Sequence, residues 1–171
     1  MIENKVLISL KLMSGKSPER FQDFFAQLSY NWVEISSVYR VFRQAESFQG
    51  LRWIRGEEHL DGFSAVALAR ISLSPQEVIA DIQRVETQLS DQRLKRTMSA
   101  NCLIYGDKVI RTPALTLPHP EFHLNPEEVV PAAELLPDYT HPILNKTLSQ
   151  LANGFQSASW GEYYGPGKEY I

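Results

Sequence analysis

Ser14-Gly15-Lys16-Ser17 stands between a strand-like and a helix-like stretch, where the end of a phosphate-cradling loop belongs. Such a loop needs a glycine five positions before Gly15, so that backbone can wrap closely round a phosphate. Leu10 occupies that position, and the tetrapeptide reads as a capped helix start. His119 and His123 are four apart, a spacing that would offer two imidazoles to a metal from one helix face. Pro118 and Pro120 bracket the first and break a regular helix there. His59, in a long loop, and His141, in a turn-like Tyr-Thr-His-Pro stretch, read as exposed polar residues. Cys102 lies in an apolar run, where a cysteine is a small core residue rather than a nucleophile. The pairs Glu57-Glu58 and Glu127-Glu128 read as solvated surface, since sequence neighbours seldom point at one ion.

These residues need a scaffold, and the pattern of apolar positions supplies one. Val6 to Met13 reads as a strand. Helix 1 follows, capped by Ser17 and opened by Pro18, with Phe21, Phe24, Phe25 and Leu28 on one face. Trp32 to Phe42 is β-branched and aromatic and reads as a second strand; residues 43–62 show no period and read as a long loop. Phe63 to Ile71 is a third strand. Ser74-Pro75-Gln76-Glu77 then opens a helix with a cap, a proline in the first turn and a capping-box glutamate, burying Val78, Ile82, Val85 and Leu89. Ala100 to Tyr105 is a strand closed by Gly106-Asp107, Val109 to Leu117 is extended, and helices cover Pro126 to Leu135 and Leu144 to Ala152. Strand, helix, strand, strand, helix, strand is the α+β order of a ferredoxin-like βαββαβ sandwich.

The chain has 171 residues, enough for one domain at 1–153 and a Gly- and aromatic-rich tail at 154–171. Phe155, Trp160, Tyr163, Tyr164 and Tyr170 in that tail show no regular period. So many aromatics must dock on their own domain or on a second subunit as a homodimer contact. With 17 basic and 20 acidic residues the net charge is −3, which argues against nucleic acid and membrane surfaces as partners. The lone cysteine excludes an internal disulfide, and no secretory signal is visible, so a cytoplasmic location is expected.

Residues 96–120, RTMSANCLIYGDKVIRTPALTLPHP, are more specific. They resemble the hydroxymethyl-dihydropterin pyrophosphokinases of folate biosynthesis, whose hallmark RTLDLDILLYGD precedes an I-x-T-P-x-L-T-L-P-H-P run. The resemblance extends through Ser36-Ser37-Val38-Tyr39, SLSPQEV, Gln83-x-x-Glu86, Ala133-Glu134 and His141-Pro142. It implies a ferredoxin-like fold and magnesium-dependent pyrophosphoryl transfer from ATP. It also implies that Gln83, Glu86, Arg96, Thr116 and His119 face adenine, ribose or phosphates. The family's two magnesium-binding aspartates fall at Ser99 and Asn101, neither of them anionic. A stacking aromatic falls at Glu127, the pterin-reading asparagine at Ser64, a phosphate-gripping arginine at Asn125, and the turn after strand 1 at Leu10 to Met13. SDQRLKRTM lacks the aromatic lid residue. Three functions follow: a nucleotide-binding or regulatory pseudoenzyme, an active enzyme using ATP and magnesium, or a protein-interaction module using residues 43–62 and the tail.

Overall fold

Alternation of apolar and polar residues in β1 (Asn4–Leu12) sends Val6, Ile8, Leu10 and Leu12 to one side of a sheet and Leu7, Ser9 and Lys11 to the other. The computed structural model describes residues 2–13, 17–42, 62–89, 98–155 and 160–171. Ser14, Gly15, Lys16, Glu57, Glu58, His59 and Arg96 lie outside the described residues.

On the first side of the sheet lie α1 (Arg20–Gln27) and α2 (Pro75–Leu89). Phe21, Phe24 and Phe25 enter the core from α1, and Leu28 follows just past its end. Ser17 does not cap α1: the helix starts three residues later, after a turn in which Phe21 N–H donates to Pro18 O. The capping box of α2 forms as expected, with the Ser74 and Glu77 side chains exchanging hydrogen bonds with each other's backbone N–H.

Trp32 to Phe42 is not one strand. It divides at Ser36-Ser37 into β2 (Asn31–Ile35) and β3 (Val38–Val41), both antiparallel to β4 (Gly62–Ile71). The break is held by Ser36, whose N–H donates to Val66 O and whose hydroxyl accepts from Val66 N–H. β5 (Met98–Tyr105) pairs with β1, giving the antiparallel order β5, β1, β4, then β3 and β2 together beside β4. This is the ferredoxin-like α+β arrangement. Val109 to Leu117 is not continuous either, because β6 (Ile110–Arg111) folds back on β7 (Thr116–Leu117), the turn pinned by Thr112 and Leu115 exchanging backbone hydrogen bonds.

The second side of the sheet is covered by α3 (Pro126–Leu135) and α4 (Leu148–Ala152). Val129, Ala132 and Leu135 meet Leu7, Val66, Leu68 and Leu103 in a second core. Each such large apolar side chain contributes about 1.5–3 kcal/mol when fully buried. The last helix starts four residues later than the apolar spacing suggests, because Thr147 and Gln150 form a capping box there.

The C-terminal segment docks on its own domain. β8 (Gly161–Gly165) adds to the sheet beside β3, an element without alternation because its backbone, not its side chains, is what the edge recognises. Trp160 meets Tyr39, Tyr164 meets Phe63 and Tyr170 meets Phe21. Gly167 lies so close to β2 that a Cβ there would stand 2.0 Å from Ser36 O. No helix among the described residues is long and apolar enough to cross a membrane.

Candidate functional site

β5 is the outer strand of the sheet, so its outward backbone groups need partners. Glu86 of α2 supplies one, its Oε1 accepting from Ala100 N–H at 2.6 Å. The turn after β7 supplies another, His119 N–H donating to Leu103 O at 2.8 Å. Between these two clamps lies an open cavity of about 360 Å³ whose walls include Gln83, Glu86, Ser99, Asn101, Thr116 and His119. Four of the five residues expected to face a nucleotide therefore come together; Arg96 lies outside the described residues. His119 Nδ1 is buried there without a partner among the described residues.

Ser99 also lines a second cavity of about 310 Å³, with Lys11, Leu12, Met13, Val41, Phe63 and Glu127. Gly62 permits this wall, since a Cβ at that position would fall 2.2 Å from Leu12 O. The register explains why the two cavities adjoin. Lys11 pairs with Ser99 on one side and Ser64 on the other, and Ser9 pairs with Asn101. Direct cross-strand partners share a face, so these residues form two polar rows under α3.

At the centre stands Glu128, fully buried, where the sequence suggested solvated surface. Helical spacing turns it inward from α3, and three groups meet it: Lys11 Nζ at 3.1 Å, Ser9 Oγ donating at 2.6 Å, and Asn125 Nδ2 donating at 2.8 Å. Burial pushes its carboxyl up, but the Lys11 ammonium and the hydrogen bonds from Ser9, Asn125 and Lys11 prevail and hold it below the ordinary carboxylate value. Glu127, at the mouth, accepts a further hydrogen bond from Lys11 Nζ at 3.3 Å. Ser64 Oγ is buried without a partner among the described residues. Lys11 was legible only as a polar interruption of an apolar strand; its two acidic partners sit over a hundred residues away along the chain.

Two other histidine and cysteine expectations meet the structure. Cys102 is buried, and burial pushes its thiol up to about 12, as a core residue requires. His141 is not exposed: it is 3% accessible, stacks on Phe122 and accepts the Ile143 and Leu144 N–H groups at Nδ1. A turn whose backbone donors point inward needs an acceptor, and the imidazole is it.

The magnesium ions implied by the resemblance do not fit the residues present. Ser99 and Asn101 offer neutral oxygens, Glu127 and Glu128 hold the Lys11 ammonium, and the Glu86 carboxylate accepts from the Ala100 N–H. Hard divalent cations bridging phosphates are held by carboxylates that share their charge.

The fold and site define an antiparallel α+β sandwich with paired cavities at the end of the edge strand. No family model matches the chain. It is 33% identical over 100 residues to a 2-amino-4-hydroxy-6-hydroxymethyldihydropteridine pyrophosphokinase of Synechocystis sp., covering 56% of this chain and 51% of that one. The same-named protein of Aquifex aeolicus is 37% identical over 89 residues, 50% of this chain and 56% of that one. That of Haemophilus influenzae is 29% identical over 114 residues, 63% and 71%. The chain thus spans about half the length of the first of these relatives. Among solved structures, Plasmodium falciparum HPPK-DHPS A437G with SDX-DHP superposes with a TM-score of 0.71 at 10% identity, over 91% of this chain and 46% of that one. The wild-type protein with pterin and p-hydroxybenzoate gives 0.67 at 11%, over 90% and 43%. The chain is thus similar in sequence to 2-amino-4-hydroxy-6-hydroxymethyldihydropteridine pyrophosphokinases and shares the fold of the HPPK-DHPS structures.

Proposed function

We propose that this protein is a nucleotide-binding member of its family that does not transfer pyrophosphate. The observation that carries the reading is the neutral pair Ser99 and Asn101 facing a lysine already neutralised by Glu127 and Glu128. Metal-assisted phosphoryl transfer depends on concentrated positive charge where the phosphoryl group moves. Here that point is occupied by one cation and two carboxylates.

Gln83, Glu86, Thr116 and His119 line one cavity along the open edge of β5, which supports retention of base and ribose binding. Arg96 is proposed to meet a phosphate, because a guanidinium forks onto two phosphate oxygens. The resemblance puts Glu127 where the family stacks an aromatic ring and Ser64 where it reads a pterin, which speaks against retention of the acceptor half.

Mixing the protein with ATP, magnesium and hydroxymethyl-dihydropterin at steady state tests the reading. The expected result is no AMP above the background of a denatured control. Turnover within a few-hundred-fold of an ordinary member of the family would contradict it.

A further inference from the structure

Resting on the nucleotide reading above, we infer that Lys11 is the resident cation of this site and that it limits the ligand to a nucleoside bearing at most one phosphate, bound without a divalent metal. Lys11 Nζ lies 3.3 Å from Glu127 Oε1 and 3.1 Å from Glu128 Oε1. An ammonium has three hydrogens. Two are directed to these carboxylates, and the third has no partner among the described residues. Lys11 lines the second cavity beside Ser99, and Ser99 is the residue that both cavities share. One oxygen of a ligand at this junction is therefore met by one ammonium hydrogen and one serine hydroxyl.

Charge sets the limit on that ligand. Lys11 brings one positive charge to the junction, and Glu127 and Glu128 bring two negative ones. A second or third phosphate would enter a net negative field, with Ser99 and Asn101 unable to hold the metal that would screen it. A single phosphate, or a ribose hydroxyl, can use the free ammonium hydrogen without that repulsion. The ammonium cannot leave to make room, because Glu128 is fully buried and would be left with an unpaired charge.

The test is a calorimetric titration of the full chain with adenosine, AMP and ATP, each in excess magnesium and again in EDTA. AMP and adenosine are expected to bind with affinities that change less than twofold on removing magnesium, and ATP at least tenfold more weakly than AMP in both. The variant Glu127→Gln removes the partly exposed carboxylate at the cavity mouth and leaves Lys11 paired with Glu128, so that the junction carries no net charge and the fold is kept. In it the preference for AMP over ATP should shrink at least fivefold, while adenosine affinity changes less than twofold. ATP binding at least tenfold tighter than AMP and lost in EDTA would overturn the inference while sparing the nucleotide reading. An unchanged AMP-to-ATP ratio in Glu127→Gln would also overturn it. Failure of all three compounds to bind would overturn the nucleotide reading itself.

Discussion

Replacing Lys11 by methionine keeps the aliphatic stem and removes the ammonium, leaving Glu128 buried with only Ser9 and Asn125 as partners. The carboxylate then has two courses: remain charged, or take up a proton. Protonation caps the loss. At pH 7 it costs about 1.4 kcal/mol for each unit above the ordinary glutamate value near 4.3, or about 3.7 kcal/mol. The same arithmetic at pH 5 gives about 1 kcal/mol. Lys11→Met should therefore destabilise the fold by about 3–4 kcal/mol at pH 7, within the range for breaking a buried ion pair, and much less at pH 5. Adding Glu128→Gln should restore most of the loss, since no charge is then left buried. Urea denaturation at the two pH values measures each step. A Lys11→Met penalty below about 1 kcal/mol at pH 7, or one equal at both pH values, would refute the buried-carboxylate reasoning.

Ser99→Asp with Asn101→Asp should increase Mn²⁺ binding, read by electron paramagnetic resonance, yet leave transfer far below that of the family because Glu127 and Ser64 remain; full activity would show that the acceptor site is intact. Arg96→Ala should weaken AMP binding by about 1–3 kcal/mol, as expected for a charge-assisted contact, and unchanged affinity would favour the interaction-module reading. Truncation after Asn153 removes β8 and the ring contacts of Trp160, Tyr164 and Tyr170, and should lower the thermal midpoint without changing the oligomeric state seen by light scattering; a dimer that becomes a monomer would instead make the tail a subunit interface. Burial, reinforced by repulsion from His123, holds the His141 imidazole below its ordinary value, so the unfolded chain binds the extra proton first and stability falls as pH drops below about 6.5. The Glu128 carboxyl, also held low, adds a second loss below about pH 4.3. His141→Gln should flatten the upper limb of that profile.

The sequence pattern carried the helices and most strands because their signals are local. The apolar spacing of Phe21, Phe24 and Phe25, and the cap at Ser74-Glu77, need no information from elsewhere in the chain. The division of β2 from β3 was not legible, since it depends on Ser36 reaching Val66 across the sheet. Nor was β8, whose strand conformation is imposed by the edge of β3. For the site, the resemblance named Gln83, Glu86, Thr116 and His119, and these share a cavity. It gave Lys11 only a place in the turn after strand 1, with no acidic partner. An ion pair between residues so distant along the chain is created by the strand register and the inward face of α3 together, and neither Lys11 nor Glu128 alone announces it. His141 was misread for the same reason, because its partners are backbone groups that only the folded turn presents.

A single-turnover reaction decides whether this chain transfers pyrophosphate, with protein in molar excess over radiolabelled ATP and with saturating magnesium and hydroxymethyl-dihydropterin. Excess protein removes product release as a place for slow chemistry to hide. The label is expected to remain in ATP over hours, while the same mixture with an active pyrophosphokinase converts it fully. Conversion of the label to pyrophosphorylated pterin by the wild-type chain would contradict this expectation, and would show that Ser99, Asn101 and Lys11 support the transfer after all.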